Sequence, residues 1–124
     1  MPLEITEKIK ILKQDIHNLK NNIDWDKSNS ELKNLIKISE KDGFWDDPKN
    51  AQNIMKEIKL KENVINLINK INQDYIDLKD LIELAEIEND NDLIKELDNS
   101  LDVLIMKSNK YKIETMFSDK NDFS

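Results

Sequence analysis

The chain has 124 residues, of which 38% are hydrophobic and 36% charged, with a formal net charge of −7. One glycine and two prolines nearly exclude a sandwich or barrel, which needs a turn about every 8–12 residues, so an all-helical fold is expected. No cysteine is present, which excludes a disulfide framework, thiolate chemistry and a cysteine-based zinc site.

The first expected helix carries an apolar ladder at Ile5, Ile9, Leu12, Ile16, Leu19 and Ile23, the alternating three-and-four spacing of a coiled-coil seam. Asp24-Trp25-Asp26 interrupts it. A second helix is expected from about Ser28 to Lys41, with Leu32, Leu35, Ile36 and Ser39 on one side. Ser28 or Ser30 can cap it, and Ser28 with Glu31 makes the better capping box.

Gly43-Phe44-Trp45-Asp46-Asp47-Pro48 then punctuates the chain and holds its only glycine. One helix is expected to end near Asp42. Asp47 suits an N-cap, because its carboxylate can accept from first-turn N–H groups, and Pro48 suits the first helical position. Trp25 and Trp45 are expected to wedge helix corners, with exposed partner anchors as the other reading.

The third helix is expected from Pro48 to about Glu88, roughly 60 Å at the usual rise. It carries two seams. One is Leu60, Val64, Leu67, Ile71, Leu78, Leu81 and Ala85, with Asp74 in the gap, and the other is Ile54, Ile58, Ile65, Ile68, Tyr75 and Ile82. Two apolar faces call for partners on both sides. After the capping cluster Glu88-Asn89-Asp90-Asn91-Asp92, a fourth helix shows Ile94, Leu97, Leu101, Leu104 and Tyr111. The expected fold class is an all-α, elongated antiparallel helical bundle, coiled-coil-like, with about four helices and one long central helix. Residues 1–115 read as one helical domain. Residues 116–124 lose periodicity and read as an exit segment toward further domains.

All 19 basic residues are lysine. Without arginine the chain lacks the bidentate fork used on phosphate and guanine, and with its negative charge no direct nucleic-acid binding is expected. Residues 1–62 balance 12 lysines against 12 acids, whereas residues 63–124 set 7 lysines against 14. Most of that excess lies at Asp74, Asp77, Asp80, Glu83, Glu86, Glu88, Asp90, Asp92, Glu96, Asp98 and Asp102. This is either a solvated helix face or a surface that meets a basic protein.

Little chemistry is visible. His17 is the only histidine, is expected to face solvent, and cannot anchor a zinc site by itself. Residues 88–92 faintly resemble a calcium loop, but Leu93 replaces its glycine and Asn99 its bidentate glutamate, so capping explains them better. One glycine permits no Gly-rich phosphate loop. Catalytic, cofactor-binding and metal sites are therefore expected to be absent, and the chain is not expected to be an enzyme. No uncharged apolar run reaches the roughly 18 residues of a membrane span, and Met1-Pro2-Leu3-Glu4 lacks a signal-peptide core. No membrane partner and a cytoplasmic location are expected.

Trp45-Asp46-Asp47-Pro48-Lys49-Asn50-Ala51-Gln52, with Glu57 following, resembles the N-terminal helical domain of bacterial class I peptide chain release factors of type 2. Leu19–Asp26 is similar to the family's helix break, and Leu81–Ala85 with the acids after it to its interhelical corner. Met116-Phe117-Ser118 is similar to its exit from the last helix. The resemblance covers essentially the whole chain. It implies a role in ending translation at UGA and UAA codons, with the ribosome near its stalk base and the factor's remaining domains as partners. In that family a serine-containing tripeptide reads the codon, and a Gly-Gly-Gln loop promotes hydrolysis of peptidyl-tRNA. Neither Gly-Gly-Gln nor Ser-Pro-Phe occurs here, so no catalytic or decoding residue carries over. The resemblance thus implies a binding and positioning module. The seams alone would equally suit a stand-alone helical adaptor, although such a protein does not need the aromatic-acidic-proline corner.

Overall fold

The computed structural model describes residues 1–121, and the side chains as far as Phe117. Four α-helices follow one another, α1 (Leu3–Asn22), α2 (Trp25–Ser39), α3 (Pro48–Ile87) and α4 (Asn91–Asn121), with a short 3-10 turn at Phe44–Asp46. No strand occurs among the described residues, so the chain is an all-α helical bundle. It divides into two units, residues 1–23 with 68–124, and residues 24–67.

In the first unit Ile5, Ile9, Leu12, Ile16 and Leu19 of α1 are buried, as are Ile68, Ile71, Tyr75, Ile82 and Ala85 of α3 and Leu97, Leu101 and Leu104 of α4. α3 and α4 are joined by only three residues, 88–90. Asn89 takes a left-handed conformation at φ 55°, and the Asn89 and Asp90 N–H groups close α3 on the Glu86 and Ala85 carbonyls at 3.1 and 2.9 Å. Asp90 also caps α4, accepting from the Leu93 N–H through Oδ1 at 3.1 Å. Asp90 thus ends one helix and starts the next, and this tight corner makes the pair antiparallel.

α1 and α4 are parallel. Lys8 reaches Asp98 and Asp102, Asp15 reaches Ser108 and Lys112, and Asn22 reaches Thr115. Both sets ascend together along the sequence. The antiparallel expectation therefore applies to the hairpin of α3 and α4, while α1 runs beside α4 in the same direction.

In the second unit α2 begins at Trp25, three residues before the expected start. Neither Ser28 nor Ser30 caps it. Instead Asp24 takes a left-handed conformation at φ 52°, which an aspartate tolerates better than most residues, and its carbonyl accepts from the Ser28 N–H at 2.8 Å. α2 ends at Ser39, short of Asp42, where the bonding tightens to three residues back, the Glu40 N–H reaching Lys37 and the Lys41 N–H reaching Ile38 at 3.3 Å each. No residue of α2 is fully buried; its seam residues Leu32, Leu35, Ile36 and Ser39 are half-buried. Lys61 on α3 ties the two helices by an ion pair to Glu31 at 2.8 Å.

The two seams of α3 do not fare equally. Ile58, Ile65, Ile68, Tyr75 and Ile82 are buried, with Ile71 and Ala85 from the other set. Leu60 and Leu81 of that other set remain 61% and 46% exposed, and Val64, Leu67 and Leu78 are half-buried. A helix with two apolar stripes needs cover on both, and here the Ile58–Ile82 stripe is covered apart from the half-buried Ile54, while the other stays partly open. α4 continues as helix through Asn121, past the point where its ladder fades, so helix exit at Met116 is corrected. Residues 122–124 of the expected exit segment lie outside the described residues.

Candidate functional site

The punctuating corner is built as its residues require. Gly43 has φ 81°, in the region where a Cβ is penalised. The Asp46 N–H closes onto the Gly43 carbonyl at 3.0 Å, forming the 3-10 turn that carries Phe44 and Trp45. Asp47 caps α3 as expected, its Oδ1 accepting from the Asn50 N–H at 3.2 Å. Phe44 and Trp45 meet edge to face, with ring centroids 5.3 Å apart. Trp45 is nonetheless 60% exposed, so it does not wedge the corner. The 3-10 turn holds its ring outward on Phe44. Trp25 is half-buried at the start of α2.

The acidic surface of residues 74–102 is less uniform than its sequence. Asp98 and Asp102 grip Lys8 at 2.8 and 2.9 Å, and those two hydrogen bonds raise the Lys8 pKa to about 12. Glu86 pairs with the Met1 amino group at 3.2 Å, and Asp90 is the cap of α4. Asp77 accepts from Gln73 at 2.9 Å and Asp74 lies 3.6 Å from Lys70. Asp77, Asp80, Glu83, Glu88, Asp92 and Glu96 are exposed. The surface that can meet a partner is thus drawn mainly from α3 and the corner, and the α4 acids nearest α1 are engaged in packing.

His17 is exposed and lies 3.2 Å from Asn21. Among the described residues no group of three or more histidine or carboxylate side chains is placed to hold a metal ion. No described helix is long and apolar enough to cross a membrane.

Sequence reasoning missed the polar layers between α1 and α4. Asp15, Ser108 and Thr115 are buried at 5%, 0% and 7% exposure. Asp15 accepts from Lys112 at 3.0 Å and from the Ser108 hydroxyl at 3.2 Å, and Asn22 donates to Thr115 and to the Lys112 carbonyl at 3.2 Å. The signal was available. Leu101, Ser108 and Thr115 recur every seven residues, as do Lys8, Asp15 and Asn22, so polar residues occupy seam positions on both helices.

A family model described as the PCRF domain matches residues 28–124. The chain is 34% identical over 119 residues to peptide chain release factor 2 of a Nitratiruptor species, covering 96% of this chain and 32% of that relative. Peptide chain release factor 2 of Nautilia profundicola is 30% identical over 119 residues with the same coverage. The chain therefore spans about a third of the length of these curated relatives. The matched span takes in the corner at Gly43–Pro48, the hairpin of α3 and α4, and all but the first three residues of α2.

Proposed function

Because this chain belongs to the PCRF domain family, we propose that it is the N-terminal helical domain of a translation termination factor acting at UGA and UAA codons. In this reading it binds and positions, and other domains of the factor decode and promote hydrolysis. The family match across the corner and the α3–α4 hairpin is the observation that carries the proposal. The single glycine supports the division of labour, since a Gly-Gly-Gln loop has no place in this sequence. The partners are the remaining domains of the factor and, near the stalk base, the ribosome, approached by the acidic surface on α3 and the corner. With lysine as its only cation and a charge of −7, the chain meets protein rather than nucleic acid directly. The factor works in the cytoplasm, where ribosomes are.

The test is a domain exchange. This chain replaces the corresponding third of the Nitratiruptor release factor 2, and peptide release is measured on ribosomes stalled at UGA, UAA and UAG. Release at UGA and UAA near the parent rate, none at UAG and none by this chain alone is expected. A folded chimera that fails to release peptide at UGA overturns the reading. Charge reversal at Asp74, Asp77 and Asp80 in the chimera is expected to weaken ribosome association; unchanged association removes the acidic surface from the contact.

A further inference from the structure

Between the C-terminal half of α3 and α4 lies an open groove of about 280 Å³. Leu78 and Leu81 from α3 and Val103 and Leu104 from α4 form its apolar floor, and Asp74 and Asp77 stand on its α3 wall. The lining positions are spaced three and four apart on each helix, so the floor is a stripe about two turns long framed by two antiparallel helices. Two of its apolar groups are open to solvent, Val103 at 55% exposure and Leu81 at 46%, while Leu78 is half-buried and Leu104 is buried beneath them. α1 holds the other side of α4, through Asp98, Asp102, Ser108, Lys112 and Thr115, and leaves this side uncovered.

We propose that this groove is the docking site for a basic amphipathic helix of a partner protein. The shape matches a helix laid into a groove with apolar anchors at three- and four-residue spacing. The charge selects the partner's sign. Residues 68–107, which include both walls, hold eleven acids against four lysines, and eight of those acids remain after Asp98, Asp102 and Glu86 pair with Lys8 and the Met1 amino group. A second copy of this chain would bring acid against acid at the same groove, whereas a helix with lysine or arginine beside its apolar stripe meets Asp74 and Asp77. The unit already uses this chemistry once. α1 seats its isoleucine and leucine ladder beside α4 and sets Lys8 between Asp98 and Asp102. Lys107 on the α4 wall gives the groove one cationic edge, which favours a partner helix with an acid or neutral residue on that side. The site deepens the reading of the acidic surface as the partner-facing side of a release-factor domain, and rests on it.

The test uses the whole chain and a fluorescently labelled synthetic helix of about 18 residues, with leucine on one face, lysine on the flank that meets α3 and glutamine on the flank that meets α4. A permuted peptide of identical composition, without the apolar face, is the control. Binding is read by anisotropy and by the amide shifts of residues 74–107. The amphipathic peptide is expected to bind, and the permuted one to bind on the order of tenfold more weakly or not at all. Val103→Lys, Leu81→Lys and Ser100→Arg all put a cation at exposed groove positions, so helicity is expected to persist while affinity falls on the order of tenfold. Met106→Asp, at 72% exposure and outside the groove, leaves affinity unchanged. Equal binding of the two peptides, or wild-type affinity in all three groove variants, overturns the proposal. Peptide binding is scored without ribosomes, so a chimera inactive in release would strike the termination reading and leave this result standing.

Discussion

Lys112 Nζ lies 3.0 Å from Asp15 Oδ1 between two parallel helices, with the Asp15 side chain only 7% exposed and that of Lys112 27% exposed. The asymmetry has a measurable consequence. Removing Lys112 leaves a buried carboxylate with the Ser108 hydroxyl as its remaining side-chain partner, whereas removing Asp15 leaves an ammonium whose stem can carry it to water. Lys112→Ala is therefore expected to cost about 2–3 kcal/mol and Asp15→Ala about 1 kcal/mol. Urea denaturation of both single variants and the double variant gives the coupling. Equal costs would show that the carboxylate is not isolated by loss of its cation.

Gly43 is the second test. Its φ of 81° penalises any Cβ, and one built there would stand 3.0 Å from Asp46 Oδ2. The Asp46 carboxylate is the mobile end of a side chain and can yield, so the backbone conformation sets most of the cost. Gly43→Ala is expected to lower stability by about 1–2 kcal/mol, and removing the carboxylate as well, in Gly43→Ala with Asp46→Ala, to recover only a small part of it. Thermal unfolding by circular dichroism reads both.

Asp47 and Asp90 each accept a hydrogen bond from the third residue of the helix they open, at 3.2 and 3.1 Å. Alanine at either is expected to cost about 1 kcal/mol. Asp90 also belongs to the corner that closes α3, where its N–H reaches the Ala85 carbonyl. That bond is main-chain, so Asp90→Asn, which preserves both capping and the turn, should restore stability in a chemical-denaturation series.

Acid should loosen the link between α2 and α3. The Lys61 hydrogen bond, then its charge, hold the Glu31 carboxyl below its usual range. A carboxylate lowered by folding stabilises above its unfolded pKa of about 4.3, and that contribution is lost as pH falls through the folded value. Lys8 has the opposite sign. Raised to about 12, it stabilises below its unfolded value of about 10.4 and loses that contribution as pH climbs through the folded one. Glu31→Gln is expected to flatten the acid limb of the stability profile and leave the alkaline limb intact, with Lys8→Gln doing the reverse. Stability measured by denaturant titration across pH checks the pair.

How much was legible in advance follows from the kind of signal each residue carries. The α1 ladder, the Asp47–Pro48 start of α3 and the cluster at residues 88–92 were readable because periodicity and capping are local. The start of α2 was not, since a left-handed aspartate leaves no mark that a serine cap does not also leave. Trp45 was expected in a corner wedge. Composition says that a large aromatic prefers burial, but a three-residue turn decides where its ring points, and here it points outward on Phe44.

By itself the sequence determined the helical class, the helix count, the tight α3–α4 corner, the acidic bias and the want of a Gly-Gly-Gln loop, because these follow from composition and short-range pattern. Only the tertiary structure decided that α1 runs parallel to α4, that Asp15 is buried against Lys112 and Ser108, and that Leu81 and Val103 remain open beside Asp74 and Asp77. Those outcomes depend on which stripe of each helix finds a neighbour. A ladder can show that a face is apolar, but the partner that covers it lies up to about a hundred residues away along the chain.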